Sequence, residues 1–242
     1  KVKNPPNKNQ WINNRISKYL EVELFRSVGK AGKSYAGFNN IVHLSSGIVR
    51  QFLDICSFLY DLQNKEKDGI DYISIEKQKK GIKDYADHFL ERNVRSYYLE
   101  ASYSEGLEDI KKYNDLYNLI EILGNFYRKR LLESDKADAR LFSFTLKDPQ
   151  NEPYFVKLLN LGITCNCFHD YWYSTKKGIG RIKVYAFNRI LCVRYSLDPT
   201  SFRGRIELTV AQLKNALKKG ELLMNDLKLE KEHITLDKYR EI

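Results

Sequence analysis

Apolar residues recur at three- and four-residue spacing through most of the first half of the chain, and at alternating positions only later. Trp11, Ile12, Ile16, Tyr19, Leu20 and Leu24 predict an amphipathic helix over 11–25. Ile48, Val49, Phe52, Leu53, Cys56, Leu59 and Tyr60 predict another, opened by Ser45, Ser46 and Gly47. The two hydroxyls can accept from the first free amides of a helix, and glycine permits the tight entry. A third stripe, Ile75, Ile82, Tyr85, Phe89 and Val94, lies between charged faces after a turn at Gly69 and Asp71, with Ser74 as its cap. A fourth runs from Leu107 through Leu116, Ile120, Leu123 and Phe126 to Leu131. The first half is therefore expected to be nearly all helical.

After Asp135 the pattern changes. Leu141 to Leu146 is apolar and β-prone and reads as a short strand; 149–153 is a turn, and 154–161 a short helix stopped at Gly162. Residues 163–175, rich in aromatic and β-branched side chains, form the first arm of an expected hairpin. Its turn is Lys176-Lys177-Gly178-Ile179-Gly180, and its second arm, Arg181 to Phe187, begins by alternating basic with apolar. Helices followed by a strand, a helix and a basic hairpin make a winged-helix plan, in which a helix enters the major groove and the wing follows the sugar-phosphate backbone. The expected fold is mainly α with a small β component: a polar lead over 1–10, a helical bundle over 11–135, a winged-helix module over 136–220 and a charged helical tail over 221–242.

Composition sharpens this picture at three points. A chain of 242 residues, 43% hydrophobic, is long enough to bury a core without staples. No apolar run approaches the ~20 residues a membrane-spanning helix needs, so no membrane partner is expected. The formal charge of +10 favours polyanions, nucleic acid first and anionic lipid second. Much of that charge sits on the hairpin, at Lys176, Lys177, Arg181 and Lys183, with Arg189, Arg194, Arg203 and Arg205 following and only Asp170 and Asp198 nearby. About four phosphate contacts would support micromolar or weaker non-specific binding to double-stranded DNA. Four irregularly spaced cysteines point to a reducing, cytoplasmic compartment. The polar lead beginning at Lys1 reads as the start of a piece of a longer protein.

Candidate chemistry is sparse. Gly29-Lys30-Ala31-Gly32-Lys33-Ser34 ends like a phosphate-binding loop, but the position five before Gly32 is Ser27 and no buried strand precedes it, so it reads as a basic loop. Cys165, Cys167 and His169 would share one face of a strand and offer a zinc-friendly set, with Cys192 the nearest further cysteine; the spacing is uncommon for zinc, and no metal ligand is assigned. His43, His88, His169 and His233 form no nucleophile–base or metal–carboxylate pattern, and no catalytic residue is assigned, so the chain is not expected to be an enzyme by itself. Arg50 stands out. It lies in the first turn of a helix, where a cation is disfavoured by up to about 1 kcal/mol, and so points to an anion, either a neighbouring carboxylate or a phosphate.

Three segments carry a family resemblance: Tyr35-Ala36-Gly37-Phe38-Asn39-Asn40-Ile41-Val42-His43-Leu44-Ser45-Ser46-Gly47-Ile48-Val49-Arg50, Val184-Tyr185-Ala186-Phe187-Asn188-Arg189, and Leu197-Asp198-Pro199-Thr200-Ser201-Phe202-Arg203-Gly204. Together they resemble the C-terminal half, lid plus winged helix, of bacterial origin-recognition-complex-like AAA+ ATPases, regulatory P-loop ATPases found also in mobile-element and defence loci. The resemblance covers most of the chain after residue 30. It implies that 11–135 is a lid-like bundle whose Ser-Gly-x-x-Arg segment opens a lid helix, and that Arg50 senses the terminal phosphates of a nucleotide. The phosphate loop, metal-binding strand and first sensor would belong to an upstream ATPase core, so ATP and magnesium are implied only there, and this chain carries no cofactor of its own. The implied function is DNA binding and regulation, through Lys176, Lys177, Arg181 and Lys183. The rival is a protein-interaction or oligomerisation module without DNA binding, contacting a partner or a second copy through Phe168, Tyr171, Trp172 and Tyr173.

Overall fold

The computed structural model of the chain describes residues 20, 23, 34–64, 72–96, 107–133, 140–147, 152–174, 180–200 and 204–222. Nearly all of the predicted 11–25 helix, the loop over 29–33, the hairpin tip with Lys176 and Lys177, Arg203, and the tail beyond 222 lie outside them.

The first helix whose bounds lie within the described residues is one the apolar pattern did not announce, α1 (Phe38–Leu44), which begins after Gly37 at φ 100°. Only Ile41 and Leu44 of α1 are buried, whereas Phe38 and Val42 are exposed, so its stripe is too narrow to read. Helix α2 (Val49–Asn64) follows, then α3 (Ile75–Leu90), prolonged by one π-helical turn over Glu91–Arg95, and the long α4 (Leu107–Glu133). Ser74 caps α3 as expected, its hydroxyl accepting from the Lys77 amide at 3.3 Å. In α2 the buried side is Gln51, Ile55, Leu59 and Gln63, while Val49, Leu53 and Tyr60 of the expected stripe face outward. Helix α2 is thus apolar on two sides and only one of them meets the core.

The second half holds β1 (Leu141–Lys147), α5 (Pro153–Thr164), β2 (Phe168–Ser174), β3 (Arg181–Phe187), the short α6 (Ile190–Arg194), β4 (Gly204–Thr209) and α7 (Val210–Lys219). Helix α5 starts on Pro153 at its first turn, where the missing N–H costs nothing, and runs on through Gly162. The four strands form one mixed sheet in the order β2-β3-β1-β4, antiparallel except where β4 lies parallel to β1. The fourth strand and α7 were not expected. Thr209 and Gln212 close a capping box at the start of α7, and Gly220, at φ 75°, ends it. The described residues are mostly helical, with a small four-stranded sheet.

Strand alternation puts Phe144, Phe168, Tyr185, Phe187, Ile206 and Leu208 on one face of that sheet. They pack as aromatic pairs, Phe144 against Tyr185 (5.4 Å) and Phe168 (5.8 Å), and Phe187 against Tyr127 of α4 (5.2 Å). Each such pair adds about 0.5–1.5 kcal/mol to the burial of its rings. Phe168, expected on a contact surface, is fully buried here. One cluster of buried side chains runs from Ile41 to Leu222, across the boundary expected near residue 135. Helix α6 packs against α3, and Arg194 at its end donates to Glu121 of α4 at 2.6 and 3.0 Å and pairs with Asp87 of α3. Burial opposes the charge of Arg194, but the Glu121 carboxylate more than offsets it and holds the guanidinium protonated.

Candidate functional site

The serines of the Ser45-Ser46-Gly47 turn were expected to cap α2, and they do something else. Ser45 Oγ donates to the Val42 carbonyl at 2.7 Å, closing α1. Ser46 and Gly47 both take left-handed backbone, at φ 56° and 78°, which swings the Ser46 side chain away from the amides of α2. Its hydroxyl donates to Asn188 Oδ1 at 3.0 Å and accepts from the Arg189 amide at 2.8 Å.

Asn188, at the end of β3, is fully buried and uses its whole amide. Its Nδ2 donates to Gln51 Oε1 (2.7 Å) and to the Asn166 carbonyl (2.9 Å). Its Oδ1 accepts from Ser46, from Gln51 Nε2 (3.0 Å) and from the Ile190 amide (3.2 Å). Gln51, also buried, passes a further bond to the Leu44 carbonyl at 2.9 Å. A buried polar network of this kind is favourable only when each member is satisfied, and Asn188 and Gln51 are. A second tie runs parallel to it: the Tyr35 hydroxyl donates to the Leu197 carbonyl at 2.7 Å, and burial raises its pKa well above the ordinary tyrosine value. Asp198 next to it pairs with Arg140 at 2.7 Å and accepts from the amide and hydroxyl of Thr200. The first two motif segments, 35–50 and 184–189, therefore meet at a junction between the α1–α2 turn and the base of the hairpin, and the third joins the first through Tyr35 and Leu197.

A cavity of about 610 Å³ opens at this junction. Val42, His43, Ser46 and Gly47 of the α1–α2 region line it together with Phe142 of β1, His169 and Tyr171 of β2, Ala186 and Phe187 of β3, and Arg189. His169 Nε2 is buried and has no hydrogen-bond partner. Burial first, and then the charge of Arg189, lower the His169 pKa, while Asp170 opposes them. Burial likewise lowers the Arg189 pKa. Asp170 itself lies on the opposite face of β2, paired with Lys183 at 2.8 Å.

The other residues singled out by sequence scatter. Arg50 is exposed on the first turn of α2, with no hydrogen bond or ion pair to another described residue. Arg181 is exposed on the hairpin, whereas Lys183 is partly occupied by Asp170 and by the Tyr185 ring at 5.4 Å. Arg205 lies over the Tyr173 ring at 4.1 Å. Lys176 and Lys177 fall outside the described residues. Cys165 and Cys167 sit in the turn before β2, where Asn166 at φ 57° interrupts the alternation that would have aligned them with His169. Burial pushes the Cys165 thiol up to about 11 and the Cys167 thiol well above its ordinary value, which suits packing rather than ligation. No group of three or more metal-binding side chains is assembled among the described residues.

No helix among the described residues is long and apolar enough to cross a membrane. A family model described as ORC-CDC6-like matches residues 1–208, beginning at the first residue rather than after residue 30. No curated protein and no solved structure matches the chain.

Proposed function

The chain belongs to the ORC-CDC6-like family, a group of AAA+ ATPase-related modules, and on that premise we propose that it is the DNA-binding and regulatory portion of an origin-recognition-like AAA+ ATPase. The observation that supports DNA binding most is the shape of the hairpin. β1 pairs with β3 only over Val184, Tyr185 and Ala186, so Arg181 to Lys183 and their partners Trp172 to Ser174 stand beyond the rest of the sheet as a two-stranded wing. Exposed Arg181, with Lys176 and Lys177 adjoining it in sequence, would lie along the phosphates. Lys183, already answered by Asp170, would contribute less. Among the described residues α5 is the one helix between β1 and β2, so the groove-reading element of this reading is α5.

In the same reading the α1–α2 region is the lid. Val49, Leu53 and Tyr60 are exposed beside Arg50, forming an apolar stripe that an upstream core would cover, with Arg50 reaching the nucleotide from its edge. The chain supplies one cation toward such a site; the phosphate loop and magnesium ligands would come from the core.

Two experiments test this. Fluorescence anisotropy with duplex DNA should show affinity falling roughly 40-fold between about 50 and 200 mM salt if three phosphates are neutralised. The combined changes Lys176→Glu, Lys177→Glu and Arg181→Glu should abolish it. No binding at low salt would sink the DNA reading. Separately, Arg50→Ala should leave the unfolding temperature and DNA affinity of this chain unchanged while weakening the nucleotide response of a protein that carries the core. Loss of folding on that change would make Arg50 structural.

A second reading, a protein-interaction module, draws on Trp172 and Tyr171, which are 64% and 41% exposed at the wing. Concentration-dependent self-association without DNA binding, measured by sedimentation, would favour it.

A further inference from the structure

Contacts to duplex phosphates need only the cations of the wing, and they leave its most exposed ring without a role. Trp172 is 64% exposed on β2, an edge strand of the sheet among the described residues. Its indole is one of the largest apolar surfaces a side chain offers, and here the fold covers little of it.

The strand register places a charged surround about that ring. Phe168, Asp170, Trp172 and Ser174 of β2 share one face with Phe187, Tyr185, Lys183 and Arg181, their direct partners on β3. At the body end this face is core. Beyond Tyr185 it is open, because β1 pairs with β3 no farther along than Val184. The open part holds the indole with Lys183 directly across the ladder and exposed Arg181 on the diagonal, at a backbone separation of about 7–8 Å. Asp170 is the one carboxylate at these positions, and Lys183 pairs with it at 2.8 Å. That pairing masks the negative charge, so the charge this face presents is that of Arg181. Tyr171 and Tyr173 project from the other face, where Arg205 already lies over the Tyr173 ring at 4.1 Å.

Possible partners differ in what they can do with such a surface. A duplex offers phosphates, but its bases show only their edges in the grooves, and a ring set in the face of a strand meets no base face. A second copy would bring Lys176, Lys177 and Arg181 toward the same cations, and like charges across an interface are costly. An unpaired strand supplies both parts at once, base faces for the indole and phosphates for the guanidinium, which is how single strands are held without sequence preference.

We propose that the outer face of the wing binds single-stranded DNA, with one base stacked on Trp172 and an adjacent phosphate held by Arg181. The inference rests on the reading of the wing as the DNA-facing element, and adds that the DNA met on this face is unpaired. Lys183 acts by neutralising Asp170 rather than by holding phosphate.

The test is fluorescence anisotropy with the full 242-residue chain at about 50 mM salt, using labelled oligonucleotides of about 15 nucleotides: a deoxythymidine strand, a duplex and a uridine ribostrand. Trp172→Ala should weaken binding of the deoxythymidine strand about tenfold or more and change duplex binding by less than about twofold. Trp172→Phe restores a ring and should recover most of the loss. A single-strand affinity that Trp172→Ala leaves unchanged, or a loss equal for strand and duplex, would overturn the proposal while leaving duplex binding by the wing in place. Trp172-dependent binding of the single strand without any duplex binding would support it and sink the duplex reading instead. Tighter binding of the ribostrand would make RNA the ligand and overturn the assignment to DNA. Self-association lost on Trp172→Ala, with no single-strand binding, would make Trp172 a contact between copies.

Discussion

Asn188→Ala will destabilise the chain by about 3–4 kcal/mol, lowering the unfolding temperature by roughly 10 °C for a protein of this length. The change deletes five side-chain hydrogen bonds at once, to Gln51 (two), Asn166, Ser46 and Ile190. The larger part of the cost is what it leaves behind. Gln51 is 3% exposed and keeps only the Leu44 carbonyl and the longer bond from Asn166 Nδ2 at 3.3 Å, so water cannot replace the partners it loses, and buried hydrogen-bonding capacity left unmet carries about 1–3 kcal/mol. Ser46→Ala, which removes one donor and one acceptor from a half-buried position, should cost less, about 1–2 kcal/mol. Urea denaturation of both variants measures the difference. An Asn188→Ala cost under about 1 kcal/mol, or one no greater than that of Ser46→Ala, would mean that the network does not hold the junction.

Gly204→Ala will cost about 3 kcal/mol or more, by overpacking against rigid backbone. A Cβ at this position would lie 1.8 Å from the Arg140 carbonyl oxygen and 2.8 Å from Leu141 Cα, and neither is the end of a flexible side chain. β4 would have to move off β1, and the bond from Ser143 Oγ to the Gly204 carbonyl (2.9 Å) would go with it. Gly220→Ala makes a useful control. Gly220 also sits at the end of an element, but nothing lies within 4 Å of its added Cβ, and its left-handed backbone should cost only about 1 kcal/mol. Thermal unfolding of the two should therefore differ clearly; equal losses would show that the contact at Gly204 is not what constrains the residue.

Long elements with a deep apolar face were legible in the sequence. α3 and α4 announce themselves because Ile82, Tyr85, Phe89, Leu116, Ile120, Leu123 and Phe126 are core residues at helical spacing, and Ser74 marks where α3 begins. The hairpin was legible because its first arm is rich in aromatic and β-branched side chains and its second begins by alternating basic with apolar. The fourth strand was not: between Gly204 and Thr209 only Ile206 and Leu208 are buried, and Arg205 and Glu207 make the stretch look like loop. Cys165, Cys167 and His169 show how one residue defeats a period-two argument, since Asn166 at positive φ resets which side each neighbour faces. Arg194 counted as a free charge for DNA because its partner Glu121 lies 73 residues away. The junction was half visible. Its segments were identifiable as motifs, but nothing in a linear pattern says that Gln51 will meet Asn188 across 137 residues, since both are polar and neither belongs to a stripe.

That last contact has a mechanical consequence. Asn188 is bonded through one side chain to the α1–α2 turn, to the turn before β2 and to the first amide of α6, and it directly follows Phe187, the last residue of β3. These segments cannot be displaced separately without breaking the same amide. A displacement of the turn beside Arg50 therefore strains hydrogen bonds made by the same side chain that holds the root of the wing.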